Sequence, residues 1–215
     1  MIKIVCVLKS NGSKIYNPEW VYKLKRSLER NISIPFEFVC LSDVPLLNCN
    51  FLLLEDGYPG WWNKLQLFKP GIFTTETLYF DLDVIISKPL DYFIEKLRET
   101  KSSFLMAEEP PLGIYNSSIM YWRGDYSHLY KLYIKNPEEH HSKYRSKYFL
   151  GDQAFIQDNV DCIKFLNECT KEKFMLWTKD LNFTVTEDTG LTLFLGKKCK
   201  PHMIPDHPYI KQHWY

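Results

Sequence analysis

Thr77-Leu78-Tyr79-Phe80-Asp81-Leu82-Asp83-Val84-Ile85-Ile86 is the strongest strand signal in the chain. β-Branched and aromatic residues fill it, and its length suits a buried strand. Two acids interrupt the apolar run. Alternation along a strand predicts that Asp81 and Asp83 leave on one face, with Leu82 on the other. Two carboxylates so close repel each other, and burial raises the cost. A divalent cation with oxygen ligands, Mn²⁺ or Mg²⁺, offsets that repulsion and can bridge the carboxylates to a substrate's phosphates. A diphosphate held in this way leaves more easily, because charge is neutralised as its bond breaks. The plainer alternative is that one Asp caps the following turn and the other is solvated at the strand's end.

Upstream, residues 2–8 form a continuous apolar run, short enough for a buried strand. A loop with Asn11-Gly12-Ser13 follows. Asn17-Pro18 then opens a helix, Asn serving as N-cap and Pro as first helical residue. Trp20, Leu24 and Leu28 recur every four residues and form its apolar stripe. Residues 36–41 and 51–54 read as strands, and residues 61–69 as a short helix ended near Pro70-Gly71. This order predicts an α/β fold with a doubly wound, mostly parallel sheet, its first half Rossmann-like and nucleotide-binding. Ligands in such sheets sit at the carboxyl ends of the strands, where Asp81 and Asp83 fall.

Downstream, residues 103–107 and 117–122 read as strands, 125–134 as a helix, 153–169 as a helical region with breaks, and 191–195 as a last strand. The tail from Gly196 to Tyr215 has no helical period. With no linker or repeat, residues 1–215 read as one domain, with a regular first half over about 1–90 and a less regular second half and tail over about 91–215.

A net charge of +1 gives no basis for a nucleic-acid footprint, so no nucleic-acid partner is expected. No apolar run reaches the ~18 residues that span a bilayer, so no transmembrane segment is expected. The opening residues read as a strand and not a signal peptide. The six cysteines are scattered without a Cys-x-x-Cys. Cys6 and Cys40 lie in apolar runs as small hydrophobes, and a reducing, cytoplasmic setting is the simpler expectation.

The run ending at Asp81-Leu82-Asp83 resembles the metal-binding Asp-x-Asp strand of GT-A glycosyltransferases. More narrowly, it resembles the retaining family of glycogenin and bacterial lipooligosaccharide galactosyltransferases. Scattered short motifs extend the resemblance over most of the chain. Gly60-Trp61-Trp62-Asn63-Lys64-Leu65 looks like the family's helix before the metal strand, which implies that Lys64 reaches the donor. Tyr115-Asn116-Ser117-Ser118 is similar to the segment lining the donor sugar, a role implied for Asn116 and Ser117. Gly151-Asp152-Gln153 resembles the Asp-Gln pair beside the anomeric carbon. Asp152 and Gln153 are therefore the catalytic candidates, Asp152 holding sugar hydroxyls and Gln153 stabilising an oxocarbenium-like transition state. Asp152 alone also reads as a helix N-cap.

Gly196-Lys197-Lys198-Cys199-Lys200-Pro201-His202 resembles the family's closing segment, which implies that Lys200 contacts the diphosphate. The family's metal-binding His before that Gly is replaced here by Leu193, Phe194 and Leu195. The third ligand is then open among His202, His207 and His213, or water and diphosphate complete the shell; His207 is the one carried forward with Asp81 and Asp83. Tyr16, in the loop after the first strand, is placed to stack on the nucleotide base. The resemblance implies a hexosyltransferase using a nucleotide-sugar donor, uridine being the favoured base, with Mn²⁺ or Mg²⁺. The acceptor would be a glycan, a glycoprotein or a lipid-linked hydroxyl.

Two rivals remain open at this stage. Asp81 and Asp83 also fit the opening motif of haloacid-dehalogenase-type phosphatases, although an αβ unit precedes them here. A non-catalytic nucleotide-sugar-binding protein would keep the site without turnover.

Overall fold

The computed structural model describes residues 1–109, 113–146, 149–161, 163–169, 174–178, 183–196 and 200–215. In chain order the first half contains β1 (Ile2–Leu8), α1 (Pro18–Asn31), β2 (Phe36–Ser42), β3 (Asn50–Leu53), a 3₁₀ helix (Gly60–Phe68), β4 (Thr77–Phe80) and β5 (Ile85–Ile86). Next come α2 (Asp91–Glu99), β6 (Phe104–Glu109), β7 (Ile114–Trp122), α3 (Ser127–Lys135), α4 (Pro137–Lys143), β8 (Arg145–Ser146), β9 (Phe149–Leu150) and α5 (Gly151–Asn159). Last are β10 (Lys164–Phe165), a 3₁₀ turn (Leu166–Cys169), β11 (Met175–Thr178), β12 (Leu191–Phe194), a second 3₁₀ turn (Pro201–Met203) and α6 (Pro208–His213).

The main sheet runs β10-β6-β7-β4-β1-β2-β3. β1 lies parallel to both β2 and β4, and β3 is parallel to β2. β7 is reversed between β4 and β6, and β10 is parallel to β6. Period-two alternation divides the side chains between two cores. On one face Ile4, Cys6, Cys40, Leu78 and Phe80 pack with Trp20, Leu24 and Leu28 of α1 and Phe93, Ile94 and Leu97 of α2. On the other, Val5, Val39, Tyr79, Met120 and Trp122 pack with Trp62, Leu65 and Phe68 of the first 3₁₀ helix, Tyr133 of α3 and Phe155 of α5. Burying each such side chain contributes about 1.5–3 kcal/mol. Cys6 and Cys40 face each other across the β1–β2 ladder as buried, free thiols. No helix among the described residues is long and apolar enough to cross a membrane.

The start of α1 follows its sequence signal: the Asn17 side chain accepts the Glu19 N–H at 3.0 Å, and Pro18 takes the first helical position. Asn17→Ala should lower stability by about 1 kcal/mol, seen as a lower urea midpoint with an unchanged slope.

Three expectations are corrected. The strand over 77–86 is not continuous. β4 ends at Phe80, a turn occupies Asp81 to Val84, and β5 joins a second sheet, β11-β12-β5. Strand alternation therefore does not place the two acids; the turn does. The tail also has helical structure: Pro201 and Pro208 each begin a short helix whose length is below any readable period. The region 153–169 divides into α5, the short strand β10 and a 3₁₀ turn. α2, α4 and β11 are additions to the sequence reading. Lys197 to Cys199 of the closing motif, and Cys162, lie outside the described residues.

Candidate active site

Four elements deliver charge to the carboxyl end of β4. The Asp81 N–H donates to the Ser118 carbonyl at 2.8 Å, adding one step to the β4–β7 ladder. The Val84 N–H then returns to the Asp81 carbonyl at 3.2 Å and closes the turn. Leu82 points into the α1-side core, which anchors that turn. Tyr79 and Asp81 are two residues apart and share a face, and the Tyr79 hydroxyl donates to Asp81 Oδ1 at 2.5 Å. Sequence alternation was sufficient to find Tyr79, which the sequence reading passed over.

Lys64 comes from the first 3₁₀ helix on that same face. Its Nζ lies 2.9 Å from Asp81 Oδ1, 3.0 Å from Ser117 Oγ and 3.7 Å from Asp152 Oδ2. The helix is pinned beside it by Asn63, whose amide donates to the Tyr58 and Gly60 carbonyls at 2.8 and 2.7 Å. Burial alone would pull the Lys64 ammonium down, but Asp152 and Asp81 outweigh it and hold its pKa above the ordinary value. Burial pushes the Asp81 carboxyl up, and Lys64 with the Tyr79 hydroxyl reverses this, so Asp81 lies below the usual carboxylate range.

Asp83 turns away to a different lysine. Lys200 donates to its carboxylate and to the Phe194 carbonyl, the latter at 2.9 Å. Burial dominates at Asp83; with the Asp81 charge added, it keeps the carboxyl above its ordinary value despite Lys200. Asp152 is likewise raised by burial against the pull of Lys64. Its Oδ2 is buried without a hydrogen-bond partner, since Lys64 stands at ion-pair and not hydrogen-bond distance. Three carboxylates thus share two ammonium groups, and the cluster retains an excess of negative charge suited to a further cation.

α5 begins at Gly151, with no side-chain cap. Asp152 is therefore in the first turn and is not the N-cap. Gly151 has φ +66°, and a Cβ there would fall 2.2 Å from the Trp61 indole nitrogen. Gly151→Ala should cost more than about 1 kcal/mol through both left-handed strain and the clash, and a Trp61→Ala background should recover the clash part only. Urea unfolding of the single and double variants measures the two parts.

The other candidates divide. Ser117 reaches the cluster through Lys64. Asn116 is turned to its neighbours: its amide donates to Glu109 at 3.3 Å and its oxygen accepts the Ser118 N–H at 2.8 Å. Gln153 is half-buried in the turn that carries Asp152. Tyr16 packs on Trp20, and burial together with the charges of Asp83 and Asp81 raises its phenol. The His207 ring stacks on Phe183 at 4.8 Å. His202 is the histidine in electrostatic reach of Asp83: burial lowers its pKa while Asp83 opposes, and its Nδ1 is buried without a partner. His213 packs on Tyr209.

Among the described residues no three His, Cys, Asp or Glu side chains form a ready-made metal group. The oxygens of Asp81 and Asp83 suit Mn²⁺ or Mg²⁺, and the Nδ1 atoms of His202 and His207, both buried without a hydrogen-bond partner, are further available donors. In this structure the Lys200 ammonium is the cation paired with Asp83.

No protein-family model matches the chain, and no curated protein does. Solved structures match along nearly its whole length. An active-site mutant of LgtC aligns over 98% of this chain and 93% of its own, at 13% identity and a TM-score of 0.66. The galactosyltransferase LgtC in complex with donor and acceptor sugar analogs aligns over 93% and 88%, at 13% identity and a TM-score of 0.56. A glycosyltransferase involved in glycosylation of the major capsid of PBCV-1 aligns over 94% and 98%, at 17% identity and a TM-score of 0.58. The fold is thus of the GT-A type, a mixed α/β architecture on a mostly parallel central sheet.

Proposed function

We propose that the chain is a metal-dependent glycosyltransferase that moves a hexose from a nucleotide-diphosphate sugar to a hydroxyl acceptor. The observation that carries this reading is the buried cluster of Asp81, Asp83 and Asp152 with Lys64 and Lys200, at the carboxyl end of β4 in a GT-A fold. Asp81 and Asp83 would hold Mn²⁺ or Mg²⁺, which supplies charge neutralisation for the departing diphosphate. Lys200 would exchange Asp83 for the diphosphate, a point charge well matched to phosphate. Lys64, fixed by three partners, orients Asp81 and Asp152 and adds positive potential. Asp152 has an unused buried oxygen that can accept a sugar hydroxyl. Gln153, in the same turn, is the candidate for facing the reacting carbon. Tyr16, Asn116 and Ser117 are the remaining donor-side candidates, uridine is the expected base, and retention is the expected stereochemistry. The acceptor would be a glycan, a glycoprotein or a lipid-linked hydroxyl.

A thermal-shift panel of nucleotide sugars with Mn²⁺, Mg²⁺ or chelator tests this. Ligand at about 100 times Kd should stabilise by about 2.7 kcal/mol, and only with metal. A protein that responds to no nucleotide sugar but releases phosphate from p-nitrophenyl phosphate would be the phosphatase instead. Binding without transfer or donor hydrolysis would mark a non-catalytic protein.

A further inference from the structure

Gly60-Trp61-Trp62 places two indoles side by side with opposite fates. Trp62 is 5% exposed and is stacked on Tyr133 at 5.2 Å within the second core. Trp61 is 48% exposed, a large apolar face left in water. Its position is built and not incidental. Trp61 comes three residues before Lys64 in the first 3₁₀ helix, a spacing that puts both on one edge of it. Lys64 is the residue that reaches Asp81, Ser117 and Asp152.

The indole edge also lies against Gly151, where any side chain would collide with it. The next residue is Asp152, with its unpartnered buried oxygen. The exposed indole therefore lies against the residue that precedes Asp152 in the chain. An indole face suits neither a phosphate nor a free carboxylate. It does suit one face of a pyranose, where axial and ring C–H groups present a continuous apolar patch and the hydroxyls stay at the rim. The nucleotide base has its own candidate platform in Tyr16, on the separate loop after β1 and packed on Trp20.

We infer that Trp61, seated in the gap left by Gly151, is the platform on which a pyranoside acceptor stacks its C–H face. Its hydroxyl is thereby brought towards Asp152. This rests on the glycosyltransferase reading, and names the chemical class of acceptor for that site: a pyranoside, and not a peptide hydroxyl or an unglycosylated lipid alcohol. Trp61 is a specificity-determining residue in this scheme.

The test uses the full chain as wild type, Trp61→Phe and Trp61→Ala. The probes are methyl β-D-galactopyranoside, methyl β-D-glucopyranoside and methyl α-D-mannopyranoside at millimolar concentration. Saturation-transfer NMR reads which sugar protons touch the protein, and titration reads affinity. At least one glycoside should receive saturation mainly on one C–H face. Its affinity should drop about tenfold or more in Trp61→Ala and stay within about threefold in Trp61→Phe. Affinity for the nucleotide sugar with Mn²⁺ should be the same in all three proteins. Equal glycoside binding by Trp61→Ala overturns the inference, as does the absence of any glycoside contact in wild type. A selective loss of nucleotide-sugar affinity in Trp61→Ala also overturns it, by moving Trp61 to the donor. Failure of the wild type to bind any nucleotide sugar is a separate outcome and removes the transferase reading itself.

Discussion

Lys64→Met should cost about 3–5 kcal/mol at neutral pH, the range expected when one partner of a buried ionic group is removed. Lys64 is the shared counter-ion of Asp152, which is buried, and of Asp81, whose side chain is 23% exposed. Without it, burial governs both carboxyls and their folded pKa values rise. A carboxyl raised in the folded state contributes stability below its unfolded pKa and loses it as pH climbs through the folded value. In the wild type Asp81 behaves in the opposite way: held below the ordinary range, it adds stability above its unfolded pKa and loses it only as pH falls through the folded value. The gap between wild type and Lys64→Met should therefore be small near about pH 4 and widen towards about pH 7. Asp152→Asn in the Lys64→Met background removes one of the two stranded charges and should recover on the order of 1–3 kcal/mol, measured as coupling in a double-mutant cycle. Urea unfolding across that pH range provides all four corners. A Lys64→Met protein as stable as wild type at neutral pH would show that the ammonium does not compensate these acids.

Asp83→Asn should have little effect on folding and a large effect on ligand binding. Burial already makes the ionised Asp83 costly, so a neutral amide of the same shape should shift stability by no more than about 1 kcal/mol. Lys200 loses one partner but retains the Phe194 carbonyl and some solvent contact. Metal-dependent binding of a nucleotide sugar should weaken by about a hundredfold or more, a loss of about 2.7 kcal/mol. At a donor concentration that stabilises wild type by about 2.7 kcal/mol, the variant should gain about 0.4 kcal/mol or less. Thermal shifts with Mn²⁺ and with chelator give the comparison. Mn²⁺-dependent donor affinity equal to that of the wild type would sink the assignment of Asp83 as a metal ligand.

Lys200 makes the second prediction more than a ligand deletion. In the proposed site the Lys200 ammonium and a divalent ion would compete for the Asp83 carboxylate.

The sequence by itself determined the α1-side half of the architecture. The run at Ile2–Leu8, the Asn17 cap, the four-residue apolar stripe of α1 and the strands at Phe36–Ser42 and Thr77–Phe80 all stand where local pattern puts them. These features depend on residues within one or two turns of each other, and side-chain period and capping chemistry are encoded at that range. The acids, the lysines and Gly151 were also legible as chemical types. Only the tertiary structure decided their partners. Lys64 meets Asp81 across 17 positions, and Ser117 across 53. Lys200 meets Asp83 across 117. The break after Phe80 arises because Asp81 is held by Ser118 of β7 and Leu82 by the α1 core, neither of which local alternation can register. His202 packs on Trp20 while His207 lies on Phe183, positions set by the packing of the tail. The gap at Gly151 exists only because Trp61, 90 positions earlier, fills it. Local pattern specified which elements form, whereas burial of charge and close packing between distant segments specified which side chains meet.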